Sequence, residues 1–214
     1  MKIYIMRHGE THYNSKGLIQ GSADIELTDY GLELAEKTRD GFANEGIHFD
    51  KIFTSPLIRA VKTAEIINEK QNAELIIEDR IREMHFGDYE GQHLDTMADT
   101  DENMRYCFTV PSKYVPTGDG ETFEQVYDRM QDFFETVILP LEGQYDCILI
   151  VCHGALIRTV LTYFKEMKLD EFWTIKQPNC CVNLMELSEG KITVVKENIL
   201  YYTQTKQLTK RGIL

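Results

Sequence analysis

Ile3-Tyr4-Ile5-Met6-Arg7-His8-Gly9-Glu10-Thr11 runs from four apolar, β-prone residues straight into a basic residue, a histidine and a glycine. This pattern predicts a buried strand that delivers two cationic-capable groups to its carboxyl edge, where open α/β sheets bind ligands. A second run, Cys147-Ile148-Leu149-Ile150-Val151-Cys152, delivers His153-Gly154 in the same way, just before an apolar helical segment. Two histidines at two strand ends predict one site.

The 214 residues suffice for one substantial core, so a single domain over 1–214 is expected. The first apolar run is too short for a signal segment and no stretch reaches bilayer-spanning length, which predicts a cytoplasmic protein with no membrane partner. Five cysteines, Cys107, Cys147, Cys152, Cys180 and Cys181, lack metal-binding spacing and most sit in apolar runs, so they read as reduced core residues. A formal net charge of −12 argues against a nucleic-acid surface, which needs an extended basic patch. It leaves room for a small anionic substrate held by a few basic residues focused in a cleft.

Strand and helix signals alternate along the chain. After the first strand, Asn14 to Glu26 reads as a loop over the sheet edge. Thr28 caps a helix with an apolar stripe at Leu32, Ala35 and Phe42, stopped by Gly46. Lys51 to Thr54 is a short strand, and Ser55-Pro56 reads as cap and first residue of a helix that carries Arg59. Leu75 to Ile77 is a strand leading to a loop with Glu83. Residues 92–120 are the least regular part and read as a cap-like insertion. Thr122 and Gln125 form a capping box for a helix with Phe123, Val126, Met130, Phe133 and Val137 on one face. Cys181 to Leu187 and Lys191 to Val195 form a hairpin turning at Glu189-Gly190. Alternating βα units predict an α/β fold, with a mostly parallel central sheet flanked by helices on both faces.

Four blocks now stand in order: Arg7-His8-Gly9-Glu10-Thr11 with Asn14; Thr54-Ser55-Pro56-Leu57-x-Arg59-Ala60; Glu83 ahead of Gly87-x-x-Glu90-Gly91; and His153-Gly154. Together they resemble the histidine phosphatase superfamily, in its phosphoglycerate mutase-like branch. The resemblance implies that His8 attacks a phosphoryl group and becomes a transient phosphohistidine. It further implies that Arg7, Arg59 and His153 hold the phosphoryl oxygens and that Glu83 is the acid and base. Asn14, Gln20, Gly21 and the Gly154 amide would add phosphate or substrate contacts. Neither metal nor cofactor is implied, since the arginines neutralise the developing charge.

The mutases of that branch carry an Arg-Arg pair after the acid, whereas residues 92–120 offer only Arg105 and Lys113. The expected function is therefore hydrolysis of small phosphomonoesters, of histidine acid-phosphatase type, with a small phosphorylated metabolite as partner. The alternatives are a cofactor-dependent phosphoglycerate mutase and a silent phosphate-binding module, the latter disfavoured because all five catalytic positions are filled. A dinucleotide-binding protein would need a glycine-rich turn that Arg7-His8-Gly9-Glu10-Thr11 does not supply. Lys62 either adds charge to the pocket or points to solvent, and Tyr106, Phe108 and Tyr114 are candidates for an apolar wall. His85 is a further candidate for touching substrate. Oligomeric state is not readable from these patterns.

Overall fold

The computed structural model describes residues 1–203. Its six strands are β1 (Lys2–Arg7), β2 (Lys51–Thr54), β3 (Glu74–Ile77), β4 (Cys147–Cys152), β5 (Val182–Ser188) and β6 (Lys191–Ile199). They form one sheet in the order β3-β2-β4-β1-β5-β6. The first four in that order run parallel, and the β5–β6 hairpin closes the far edge antiparallel. The predicted α/β architecture is what the chain adopts.

Helices are α1 (His12–Lys16), α2 (Asp29–Asn44), α3 (Ile58–Asn68), α4 (Leu94–Thr100), α5 (Glu102–Thr109), α6 (Phe123–Phe133) and α7 (Gly154–Phe164). β1 and β4 are central, so both faces of each must be apolar, and their alternate residues serve two different cores. Ile3, Ile5, Ile148 and Ile150 face α6 and α7, whereas Tyr4, Met6, Leu149 and Val151 face α2 and α3. This explains why both runs are continuously apolar rather than alternating.

Several expectations need correction. Asn14 to Glu26 is not loop throughout, because Thr11 and Asn14 form a capping box that nucleates the short α1. In α2 the buried stripe uses Leu34 rather than Leu32. Ser55-Pro56 does not start α3: the helix begins at Ile58 after the extended residue Leu57, and its first amide is capped from the 20–24 loop by Asp24 Oδ1 at 2.7 Å. The segment 92–120 is more regular than its sequence suggested, with α4 and α5 inside it. Beyond Phe133, α6 continues as a π-helical turn over Phe134–Ile138. The extra residue in that turn rotates the apolar face, so Phe134 and Ile138 are buried where Val137 was expected. Leu187 to Lys191 turns through Glu189 and Gly190, both with positive φ, as the hairpin reading required.

Candidate active site

Parallel register builds the site. Arg7 pairs with Cys152 across β1 and β4, so the next residues, His8 and His153, emerge side by side at the carboxyl edge. Their ring centroids lie 5.2 Å apart. Thr54 pairs with Val151 across β2 and β4, which brings Ser55 to the same edge. The glycine after His8 has a packing reason. A Cβ on Gly9 would lie 2.5 Å from the Gly31 carbonyl oxygen, so only glycine lets the chain pass under the first turn of α2.

His8 is 1% exposed. Its Nδ1 lies 2.7 Å from the carbonyl oxygen of Gly9, and a carbonyl can only accept, so Nδ1 carries the proton and Nε2 keeps its lone pair. Burial, followed by the charges of Arg59 and Arg7, holds the imidazole pKa well below the usual histidine range. His8 is thus neutral at neutral pH.

His153 is neutral for the same leading reason, burial, with Arg59 next. Its Nδ1 accepts from Arg59 Nε at 3.2 Å, which leaves Nε2–H to donate to Ser55 Oγ at 2.7 Å. Ser55, read from sequence as a cap, accepts from Leu57 N at 3.3 Å and is also the partner of the His153 Nε2–H, while the Arg59 donor fixes the tautomer.

One pocket opens here, lined by the expected residues Arg7, His8, Asn14, Gln20, Gly21, Glu83 and Gly154. Arg7 gives Nη1 to the Gln177 carbonyl at 2.7 Å, while its buried Nε has no partner among the described residues. Burial lowers the Arg7 pKa, and the Glu83 carboxylate opposes that shift. Glu83 is seated on the first turn of α7, accepting from the amides of Ala155 at 3.1 Å and Leu156 at 3.2 Å. It also accepts from Met84 N at 3.0 Å.

Arg59 and His153 lie one layer back, outside the pocket lining. Arg59 donates to the carbonyls of Gly21 and Ala23 at 2.6 Å each, so it holds the 20–24 loop against the sheet edge. Burial lowers its pKa to about 10. Arg59 thus carries its charge behind the pocket floor and braces it, with the neutral His153 ring beside it. Turning the Gln20 amide so that its oxygen faces Arg59 Nε, at 2.6 Å, pairs both amide atoms and ties that loop further. Asn14 Oδ1 accepts from Thr11 N at 3.2 Å and from Asn179 Nδ2 at 3.1 Å.

Arg158, Trp173 and Asn179 are among the lining or bracing residues that were missed, as are Ile19, Phe86, Leu94 and Ala155. Arg158 is 1% exposed and lines the pocket beside Arg7. It donates Nε to the Ile175 carbonyl at 2.9 Å and Nη1 to the Gly154 carbonyl at 3.0 Å. Its signal was available: an arginine inside an otherwise apolar helix is an anomaly. Trp173 and Asn179 carried no such mark. Lys62 faces solvent beside Glu65, and Tyr106 and Tyr114 lie outside the lining, whereas Phe108 is part of it. His85 stands away from the lining, with Nδ1 3.1 Å from the Asp119 carbonyl oxygen.

Fold and site together define an open α/β protein whose sheet edge carries an anion pocket built around a neutral histidine. The chain belongs to the histidine phosphatase superfamily (branch 1), whose profile matches residues 3–200. Over 200 residues it is 30% identical to phosphoserine phosphatase 1 of Hydrogenobacter thermophilus, covering 93% of this chain and 92% of that protein. It is 26% identical over 221 residues to a 2,3-bisphosphoglycerate-dependent phosphoglycerate mutase of Bacteroides thetaiotaomicron, covering 88% of each chain. Among solved structures, YhfR of Bacillus stearothermophilus superposes with a TM-score of 0.85 at 30% identity, covering 94% of this chain and 98% of that one.

Proposed function

We propose that the protein hydrolyses small phosphomonoesters through a phosphohistidine at His8. The observation that carries this reading is the tautomer of His8: Nδ1–H is tied to Gly9, so the Nε2 lone pair is the reactive one, and it stands beside an Arg7 Nε that no group among the described residues satisfies. His8 Nε2 attacks phosphorus, the ester P–O bond breaks, and Glu83 supplies the proton that the leaving oxygen takes. Water then attacks the phosphohistidine, passes its proton to the Glu83 carboxylate, and breaks the P–N bond, which releases phosphate and restores His8. Arg7, with Arg158 and Arg59 behind it, offsets the charge on the phosphoryl oxygens without reorganising during reaction. The Gly154 amide, at the first position of α7, adds a donor that has no intrahelical acceptor.

Hydrolysis is favoured over mutase transfer by where the cations of residues 92–120 go. Arg105 donates to the carbonyls of Ala98 and Asp99, at 3.2 and 2.9 Å. Lys113 sits over the Tyr106 ring at 5.2 Å. Neither lines the pocket, so a second phosphate would meet no added charge there.

The test is phosphate release from a panel of phosphomonoesters in excess chelator, alongside an assay for 2- and 3-phosphoglycerate interconversion with bisphosphoglycerate present. Chelator-resistant hydrolysis without interconversion is expected. Bisphosphate-stimulated interconversion would establish the mutase, and inactivity in both assays would overturn the enzyme reading.

A further inference from the structure

We propose that the leaving group this pocket selects is a neutral, apolar alcohol of about one ring, rather than one bearing a carboxylate or an ammonium. The inference rests on the phosphatase reading above and adds the class of ester.

The pocket is polarised. Its charged groups gather at one end, because Gly154 lacks a side chain: a Cβ there would lie 3.1 Å from Arg158 Nη1 and 3.4 Å from Arg7 Nε. Both guanidiniums therefore converge on the point where α7 begins, beside His8. Alongside Asn14, Gln20, Gly21 and Ala155, the lining carries five large apolar side chains, Ile19, Phe86, Leu94, Phe108 and Trp173. These five come from four separated segments of the chain, so the apolar surface is assembled by the fold and is not one helix stripe.

Trp173 is held in place on three sides. Its indole Nε1–H donates to the Cys107 carbonyl at 2.6 Å, the Arg158 guanidinium lies 4.9 Å from its ring, and Phe108 meets it at 4.8 Å. With its one donor already committed to α5, the indole offers a ligand only π surface. A ring or alkyl group beyond the phosphoryl oxygen would be buried against preformed aromatic faces at little entropic cost.

A charged leaving group would fare differently. Of the cations of residues 92–120, Arg105 is turned to backbone carbonyls and Lys113 to Tyr106, and His85 faces Glu90 and Asp119. A carboxylate there loses its water without gaining a counter-charge, and an ammonium meets no carboxylate at the apolar wall. Arg158 reaches this wall at the Trp173 ring, but its Nε and Nη1 already donate to the Ile175 and Gly154 carbonyls.

The experiment compares kcat/KM of the intact wild-type protein for three alkyl esters: 2-phenylethyl phosphate, ethyl phosphate and L-phosphoserine. The hydroxyl of serine is the most acidic of the three alcohols, so leaving-group chemistry alone would favour phosphoserine. We expect 2-phenylethyl phosphate to exceed both others by at least about tenfold, chiefly through a lower KM. In Phe108→Ala the ratio of 2-phenylethyl to ethyl phosphate should fall at least about fivefold. A wild-type preference for phosphoserine, or a phenylethyl advantage under tenfold, overturns the inference while leaving the phosphatase reading intact. An unchanged ratio in Phe108→Ala overturns it as well. No hydrolysis of any ester removes the phosphatase reading itself.

Discussion

One carbonyl sets the chemistry of His8. Because Gly9 O holds the Nδ1 proton, substitution of His8 removes the only lone pair aimed at phosphorus, and His8→Ala is expected to lower kcat by about 10⁴-fold or more. Thermal unfolding of that variant should stay cooperative, since His8 lies at a strand end rather than inside either apolar cluster. Turnover within tenfold of wild type would end the nucleophile assignment. Glu83→Gln leaves the amide contacts of α7 with an acceptor but no transferable proton. Alkyl phosphates should slow by about 10²-fold or more and an activated aryl phosphate by much less, because a good leaving group needs little protonation. Equal losses for both ester types would remove Glu83 as the acid. The residues proposed for these roles were legible in sequence because His8 follows a distinctive strand and Glu83 stands in register ahead of Gly87. Ser55 was read only as a cap, since its partnership with His153 depends on β2 lying next to β4, and no local pattern encodes that neighbour. Trp173 is hidden for a similar reason: it reaches the pocket from a short helical turn, Leu169–Thr174, whose position is set by packing against α5, α7 and the Pro111–Lys113 turn.

The strands that present the site were readable because a doubly covered strand must be apolar throughout, and β1 and β4 are. The insertion was not readable. Its helices are short, at seven and eight residues, and α5 is capped by an Asp101 that also ends α4, so no long periodic signal develops. The junction of β1 with α2 shows how tightly elements fix the site. Gly31 opposes the loop after His8, and a Cβ on it would lie 2.1 Å from the Glu10 carbonyl oxygen and 2.8 Å from its amide nitrogen. Those are backbone atoms, which cannot rotate aside, so α2 or the His8 loop would have to move. Gly31→Ala is expected to cost about 2–3 kcal/mol, lowering Tm by roughly 5–10 °C for a chain of this size. Activity should fall further than stability explains, because the displaced segment carries His8. A Tm within 2 °C of wild type would show that the junction yields more easily than its contacts imply.

The molecule as a whole keeps two neutral histidines buried beneath three guanidiniums inside a chain of net charge −12. That arrangement makes stability depend on pH with a definite sign. His8 and His153 both have folded-state pKa values well below the histidine reference, whereas in the unfolded chain they return to about 6.5. Above pH 7 neither state binds these protons, so the full stability is present. As pH falls through about 6.5 the unfolded chain takes them up and the folded protein does not, so unfolding gains protons and stability declines. Each histidine removes stability in this way for as long as the folded protein leaves it unprotonated. The carboxylates whose pKa values are lowered by ion pairs or amides, Asp40, Glu78 and Asp170, have reference values of 3.8 to 4.5 and act mainly below this window. Urea unfolding at pH 7.5, 6.5, 5.5 and 5.0 is therefore expected to show a steady loss whose slope falls by one histidine's share in His8→Asn. If wild type and His8→Asn lose stability in parallel over that range, His8 is not held neutral in the folded protein. The lone pair on which the phosphohistidine mechanism depends would then be lost in the acidic part of that range.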